Sequence, residues 1–165
     1  MGIFADGGQV MAGCMNLYWW LEENKQSIFN SIERVCKLKP GRLKFRSYSD
    51  GIYITYTPNQ YTVWLAQFRM EDLPYTESIG IVSNVKINDK YRNCGLGQYL
   101  HSLRIKFAKE EKINFLMATT RQDNEVQNHI MKKYGWKIIK KYTSKQYQEK
   151  LYLWMLEINS EKKRS

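Results

Sequence analysis

The chain has 165 residues, with 26 Lys and Arg against 16 Asp and Glu and a formal net charge of +10, a length that suits one domain and not two. Hydrophobic residues make up 43% of it and aromatic ones 14%, enough for a packed core, so global disorder is excluded. No apolar run approaches the ~18 residues of a membrane span. The three cysteines, Cys14, Cys36 and Cys94, have spacings that fit neither a disulfide framework nor a zinc site, which suits a reducing cytoplasm.

Residues 1–15 are Gly-rich, and Gly8–Met15 is a poor candidate for an initial strand. Met11-Ala12-Gly13-Cys14 has the outline of a lipoprotein cleavage site, but no basic segment precedes it and Asp6 interrupts the run. Asp6 also stands where a myristoylation signal at Gly2 needs Ser or Thr. From Leu17 to Leu38 the apolar positions Leu17, Trp20, Leu21, Ile28, Ile32 and Val35 recur at helical spacing until Pro40-Gly41, predicting one or two helices.

The period then changes. Leu43-Phe45, Ile52-Ile54-Tyr56 and Tyr61-Val63-Leu65 alternate with polar residues, and Asp50-Gly51 and Pro58-Asn59 supply the turns of an antiparallel meander. A longer strand follows with Ile79, Ile81, Ser83, Val85 and Ile87 on one face. A helix from about Leu96 to Glu110 has Leu96, Leu100, Leu103 and Phe107 on one stripe. Phe115–Ala118 reads as a strand buried on both faces, and Asn124 to about Tyr134 as a helix ended by Gly135. Trp136–Lys141 and Leu151–Ile158 read as closing strands, and residues 160–165 as a flexible basic tail, leaving 1–159 as a single domain. The order implies an α/β fold with a mixed sheet and helices on its faces.

The stretch from Val85 to Gln98 carries the chemistry. A strand ends near Ile87, and a loop with Arg92, Gly95 and Gly97 leads straight into a helix. Glycines let backbone approach a ligand, and a helix start presents unpaired N–H groups and partial positive charge, a combination that binds phosphate or pyrophosphate. The dinucleotide fingerprint needs a third glycine where Leu100 stands, and a Walker loop needs Gly-Lys-Ser/Thr where Gly97-Gln98-Tyr99 stands. A tight turn that simply needs two glycines is the alternative.

Arg92-x-x-Gly95-x-Gly97 after a strand, then an amphipathic helix, a buried strand, and Asn124 followed eleven residues later by Gly135-Trp136, resembles the GCN5-related N-acetyltransferases (GNAT). The likeness covers roughly residues 79–142. It implies an acyl-CoA N-acyltransferase fold, a mostly antiparallel sheet with central splayed parallel strands. It further implies that the backbone of Arg92, Asn93, Cys94, Gly95, Leu96, Gly97 and Gln98 holds the pyrophosphate of acetyl-CoA. Val85 and Ile87 would present backbone to the pantetheine arm, and Asn124 would contact pantetheine. Arg92 read on its own could be a surface salt bridge, and Asn124 a helix cap.

Acetyl transfer to an amine needs a donor for the carbonyl oxyanion and an acceptor for the amine proton. The resemblance places a proton-donating tyrosine where this chain has Met131, and a thioether cannot donate. Tyr134 lies about 60° round the helix from Met131, taking ~100° per residue, and would substitute only at an irregular helix end; otherwise it is a packing aromatic. Tyr142 is a second candidate, and CoA thiolate can also leave unaided. Glu77 is the candidate base, with Asp72 nearby and Ser83 and Asn84 able to hold a water. His101 and His129 read as bland, and Cys94 as either a thiol open to oxidation or to acylation near CoA, or more simply a small tolerated side chain.

The expected function is N-acetyl transfer from acetyl-CoA, without a metal, to a primary amine of an undetermined acceptor by direct attack in a ternary complex. The alternatives are a toxin that acetylates aminoacyl-tRNA and a non-catalytic module that binds CoA or nucleic acid. Residues 101–150 carry a net +7 against +2 for 1–50 and zero for 51–100. That surplus is either a surface for nucleic acid such as tRNA or a solvated face. No membrane partner is expected, and homodimer formation is left open.

Overall fold

The alternation of two periods along the chain is reproduced element by element. The computed structural model describes residues 4–5, 8–9, 17–73 and 78–158. Two short strands, β1 (Phe4–Ala5) and β2 (Gly8–Gln9), pair antiparallel; the rest of Gly8–Met15 lies outside the described residues, as do Glu77 and the tail 160–165. There follow α1 (Leu17–Glu23), α2 (Lys25–Cys36), β3 (Leu43–Tyr48), β4 (Gly51–Tyr56), β5 (Val63–Asp72) and β6 (Ile79–Ile87). A 3-10 turn at Asp89–Tyr91 leads to α3 (Leu96–Glu110), β7 (Phe115–Arg121), α4 (Glu125–Lys133), β8 (Lys137–Thr143) and β9 (Lys150–Glu157). The fold is mixed α/β: β6 with β7 is the parallel pair, and the other described ladders are antiparallel.

The chain divides into two compact units, residues up to 71 with 84–107, and residues 72–83 with 108 onward. β6 runs from one into the other.

In the first unit the hydrogen-bonded order is β3-β4-β5-β6. The helical stretch predicted over 17–38 is broken at Asn24, whose Nδ2 donates to the Trp20 carbonyl at 2.8 Å. α2 ends at Lys37 in the left-handed conformation, with φ of 53°. Leu17, Leu21, Ile28 and Ile32 of the helices, Ile54, Leu65 and Phe68 of the strands, and Leu100 and Phe107 of α3 are all buried. Each such side chain contributes about 2 kcal/mol when removed from water. Trp20 meets Phe107 edge-on at 5.5 Å.

In the second unit the order is β6-β7-β9-β8. The parallel ladder runs from Ile79 opposite Phe115 to Ile81 opposite Met117. β9, last in sequence, pairs with both β7 and β8. Leu116, Ala118 and Thr120 of β7 are buried while Thr119 is exposed. The expectation of a strand buried on both faces is therefore corrected: one face is covered throughout, and the other, with Phe115 and Met117 half-buried, loses its cover toward the strand's end.

A buried polar relay fixes α4 to this sheet. Trp154 Nε1 donates to Thr120 Oγ1 at 2.8 Å, Thr120 Oγ1 donates to Asn128 Oδ1, and Asn128 Nδ2 donates to the carbonyls of Arg121 and Gln122 at 3.1 and 3.2 Å. Buried polar groups of this kind are costly unless satisfied, and here each finds its partner.

Candidate cofactor site

The loop after β6 is pinned at its base by one asparagine. Asn88 donates its backbone N–H to Leu65 O and its Nδ2 to Trp64 O, both at 2.8 Å, while its Oδ1 accepts the Lys90 N–H at 3.1 Å. Three bonds from one residue hold the loop base to β5 and start the 3-10 turn. Nothing in the sequence reading singled out Asn88, although Asn ahead of Asp-Lys-Tyr is an Asx-turn signal.

Arg92 turns back onto the same loop. Its Nε donates to Ile87 O at 3.2 Å, and Nη2 pairs with Asp89 at 3.0 Å, with the side chain 63% exposed. The guanidinium thus braces the turn, and so exposed an ion pair is worth little in stability. Asn93 and Gly95 then adopt left-handed backbone, φ 62° and 92°. Leu96 is buried and anchors the start of α3.

Between those points the backbone is left open. Among the described residues, no acceptor is recorded for the N–H groups of Asn93, Cys94, Gly95, Leu96 and Gly97, whereas Tyr99 N–H already bonds Gly95 O at 3.0 Å. Five consecutive donors without an internal acceptor therefore lie at the positive end of a 15-residue helix, the arrangement that receives a phosphate oxygen. Glycine at 95 is required by its φ. Glycine at 97 is not: it is helical, and an added Cβ would meet only Ile87 Cγ1 at 3.9 Å. The protein's own packing leaves room there for a side chain.

Beneath the loop lies the last turn of α2. A Cβ on Gly95 would meet Val35 Cγ1 at 3.7 Å, and Cys36 Sγ stands 3.1 Å from Cys94 Sγ. Burial first, then the hydrogen bond to Cys94, pushes the Cys36 thiol up to about 12. No sequence signal joins two cysteines so far apart in the chain.

The other candidates are placed as follows. Val85 and Ile87 are half-buried on β6 ahead of the loop. Asn124 caps α4, its Oδ1 accepting the Gln127 N–H at 3.2 Å, a bond that does not use its Nδ2. Met131 is buried. The end of α4 is regular: Trp136 N–H bonds Met131 O at 3.1 Å and Gly135 N–H bonds Lys132 O at 3.0 Å, the two bonds of a Schellman motif. Tyr134, half-buried, is the C-cap residue, so the irregular end on which its role as an acid depended is not present. Tyr142 is half-buried on β8, and Asp72 and Ser83 are half-buried on β5 and β6.

His101 is buried on α3, and burial, with Arg104 second, lowers its pKa to about 4, so it is neutral at physiological pH. His129 is exposed. Among the described residues no three His, Cys, Asp or Glu side chains come together as a metal site, and no helix is long and apolar enough to cross a membrane.

No known protein family's sequence profile matches the chain, and no curated protein matches it in sequence. Solved structures do match in fold. The ribosomal-protein-S18-alanine N-acetyltransferase of Escherichia coli shares 12% identity over 100% of this chain and 96% of its own, with a TM-score of 0.56. A GNAT family acetyltransferase of Elizabethkingia anophelis, solved with acetyl-CoA bound, shares 18% over 66% and 77%, with a TM-score of 0.54. A Bacillus subtilis acetyltransferase in complex with CoA shares 11% over 72% and 99%, with a TM-score of 0.53. The fold of this chain is the one those acetyltransferases share, a GNAT family member among them.

Proposed function

We propose that the protein is an acetyl-CoA-dependent N-acetyltransferase whose Arg92–Gln98 loop holds the cofactor pyrophosphate. The observation that carries this reading is the run of five unpartnered N–H groups from Asn93 to Gly97, beside a glycine that the fold does not itself require. Arg92 braces the loop and adds positive charge near it, and backbone donors do the binding. Acetyl-CoA supplies the thioester when bound. The chain's part is to fix the pyrophosphate, to offer Val85 and Ile87 backbone to the pantetheine arm, and to set Asn124 Nδ2 toward it.

For proton transfer, Glu77 is the proposed base that relieves the incoming amine of its proton. The regular end of α4 leaves Tyr134 as a packing aromatic, so the departing CoA thiolate is proposed to leave unaided. Residues 1–159 are proposed as a single acetyltransferase-like domain. The test is incubation with radiolabelled acetyl-CoA and a cell extract. Label in a protein, an aminoacyl-tRNA or a small amine supports the reading and identifies the acceptor class. No label anywhere, with CoA binding retained in calorimetry, leaves a binding module instead.

A second reading concerns the acceptor. Between residues 126 and 148 there are six lysines and no Asp or Glu. Lys132 and Lys133 end α4, Lys137, Lys140 and Lys141 lie on β8, and Lys145 follows it, all exposed. β8 is an edge strand with a bulge at Ile138–Lys140, where lysines also discourage strand-to-strand association. We read this strip as favouring a phosphate-rich acceptor such as aminoacyl-tRNA. Its test is a steep loss of tRNA affinity with salt, abolished by Lys137→Glu with Lys140→Glu.

A further inference from the structure

We propose that Cys36 and Cys94 are an oxidisable dithiol site whose disulfide locks the 92–97 loop to the end of α2 and weakens its hold on a pyrophosphate; the second half of this rests on the cofactor reading above.

The two thiols come from segments 58 residues apart, yet their sulfurs stand 3.1 Å from each other. A disulfide requires about 2.05 Å, so closure needs roughly 1 Å of approach. Hydrogen-bond direction orders the pair. Cys94 S–H donates to Tyr91 O at 2.9 Å, so in the Cys36–Cys94 contact the proton comes from Cys36. The relay Cys36 to Cys94 to Tyr91 O leaves Cys36 as the held, protonated partner, in keeping with its raised pKa. Cys94, in the loop next to exposed Gly95, is then the thiol that an oxidant reaches first.

The chemistry balances with hydrogen peroxide as oxidant. The Cys94 sulfur attacks the peroxide, the O–O bond breaks, and Cys94 sulfenic acid and one water result. The Cys36 sulfur displaces the sulfenic oxygen, its proton and that oxygen leaving as a second water, and the S–S bond forms. Two thiols lose two electrons in all, and a dithiol reductant reverses the change.

The consequence for the loop follows from where Cys94 sits. It lies between the two left-handed residues Asn93 and Gly95, and its own N–H is the second of the five open donors. Closure removes the bond to Tyr91 O and draws Cys94 toward the last turn of α2. A shift of about 1 Å is large against the 2.7–3.2 Å window of a backbone hydrogen bond.

The experiment uses full-length Cys14→Ser protein, reduced or treated with hydrogen peroxide. Non-reducing peptide maps should show Cys36 joined to Cys94, reversibly, and Cys36→Ser or Cys94→Ser should abolish the link. Trypsin should cut after Lys90 and Arg92 about fivefold more slowly in the oxidised form, since cleavage follows local opening. CoA affinity by calorimetry should fall about tenfold on oxidation, ~1.4 kcal/mol. Absence of the link overturns the proposal, as does a link that leaves both cleavage and CoA affinity within about twofold. Reduced protein that binds no CoA removes the cofactor reading, and the cleavage rates then decide the dithiol site alone.

Discussion

At the start of α4 the Asn124 carboxamide takes the Gln127 N–H, and Asn128 N–H bonds Asn124 O at 3.0 Å. At the start of α3 no side chain does the same, and five N–H groups in a row stay open. Both helices follow a strand and a short loop, so the contrast lies in what the loop does with its donors. α4 is completed from within by its cap, its Schellman end and the Thr120 relay. The α3 loop uses its side chains to brace itself, through Asn88 and Arg92, and leaves its backbone donors unpaired.

The sharpest way to break this contrast is Gly97→Val, which puts a branched side chain where the ligand is proposed to approach. CoA affinity should drop about a thousandfold, ~4 kcal/mol, while the protein stays folded, because Ile87 alone lies near an added Cβ. Unchanged CoA affinity in calorimetry would return the loop to the status of a tight turn.

α3 also carries a pH dependence, at His101. The folded pKa of His101, about 4, lies below the ordinary 6.5, so the unfolded chain takes a proton that the folded chain refuses. Stability is held above pH 6.5 and lost as pH falls toward 4, by about 3 kcal/mol in all. Denaturant titrations across that range should show the loss, and His101→Gln should flatten it.

In the second unit, Thr120→Val strips the acceptor of Trp154 Nε1 and the donor to Asn128 together. A cost of about 2 kcal/mol is expected for buried groups left unpaired, read from the denaturation midpoint. Asn124→Ala should cost about 1 kcal/mol through the lost cap. Asn124→Asp keeps an oxygen for Gln127 N–H and should restore that stability. If Nδ2 also touches pantetheine, the Asp variant will still bind CoA severalfold more weakly, so it tells a cap from a cap that also binds.

Much of this architecture was readable from spacing. The stripe Leu96, Leu100, Leu103, Phe107 fixed α3 to the residue, and Gly135 marked the end of α4, because both depend on near neighbours in the chain. The Gly95-x-Gly97 turn was visible for the same reason. What could not be read depends on distant partners. Asn24 breaks the first helical stretch with neither Gly nor Pro to announce it. Arg92, by contrast, makes the surface salt bridge that the sequence allowed for it, to Asp89 three residues back. Cys36 gains its meaning only from Cys94. The burial of β7 was overestimated because a four-residue apolar run does not say how much of each face its neighbours cover.

The relay at Trp154 has a direction as well as an inventory. Each group gives its proton onward, indole to hydroxyl, hydroxyl to amide oxygen, and amide nitrogen to the carbonyls of Arg121 and Gln122, so the dipoles align head to tail and the Asn128 amide has one permitted orientation. The indole proton at its head is sealed beneath a side chain that is 1% exposed. In deuterium oxide that single resonance should persist long after the exposed ring of Trp64 has exchanged, a clock for the opening of the second unit that needs no label.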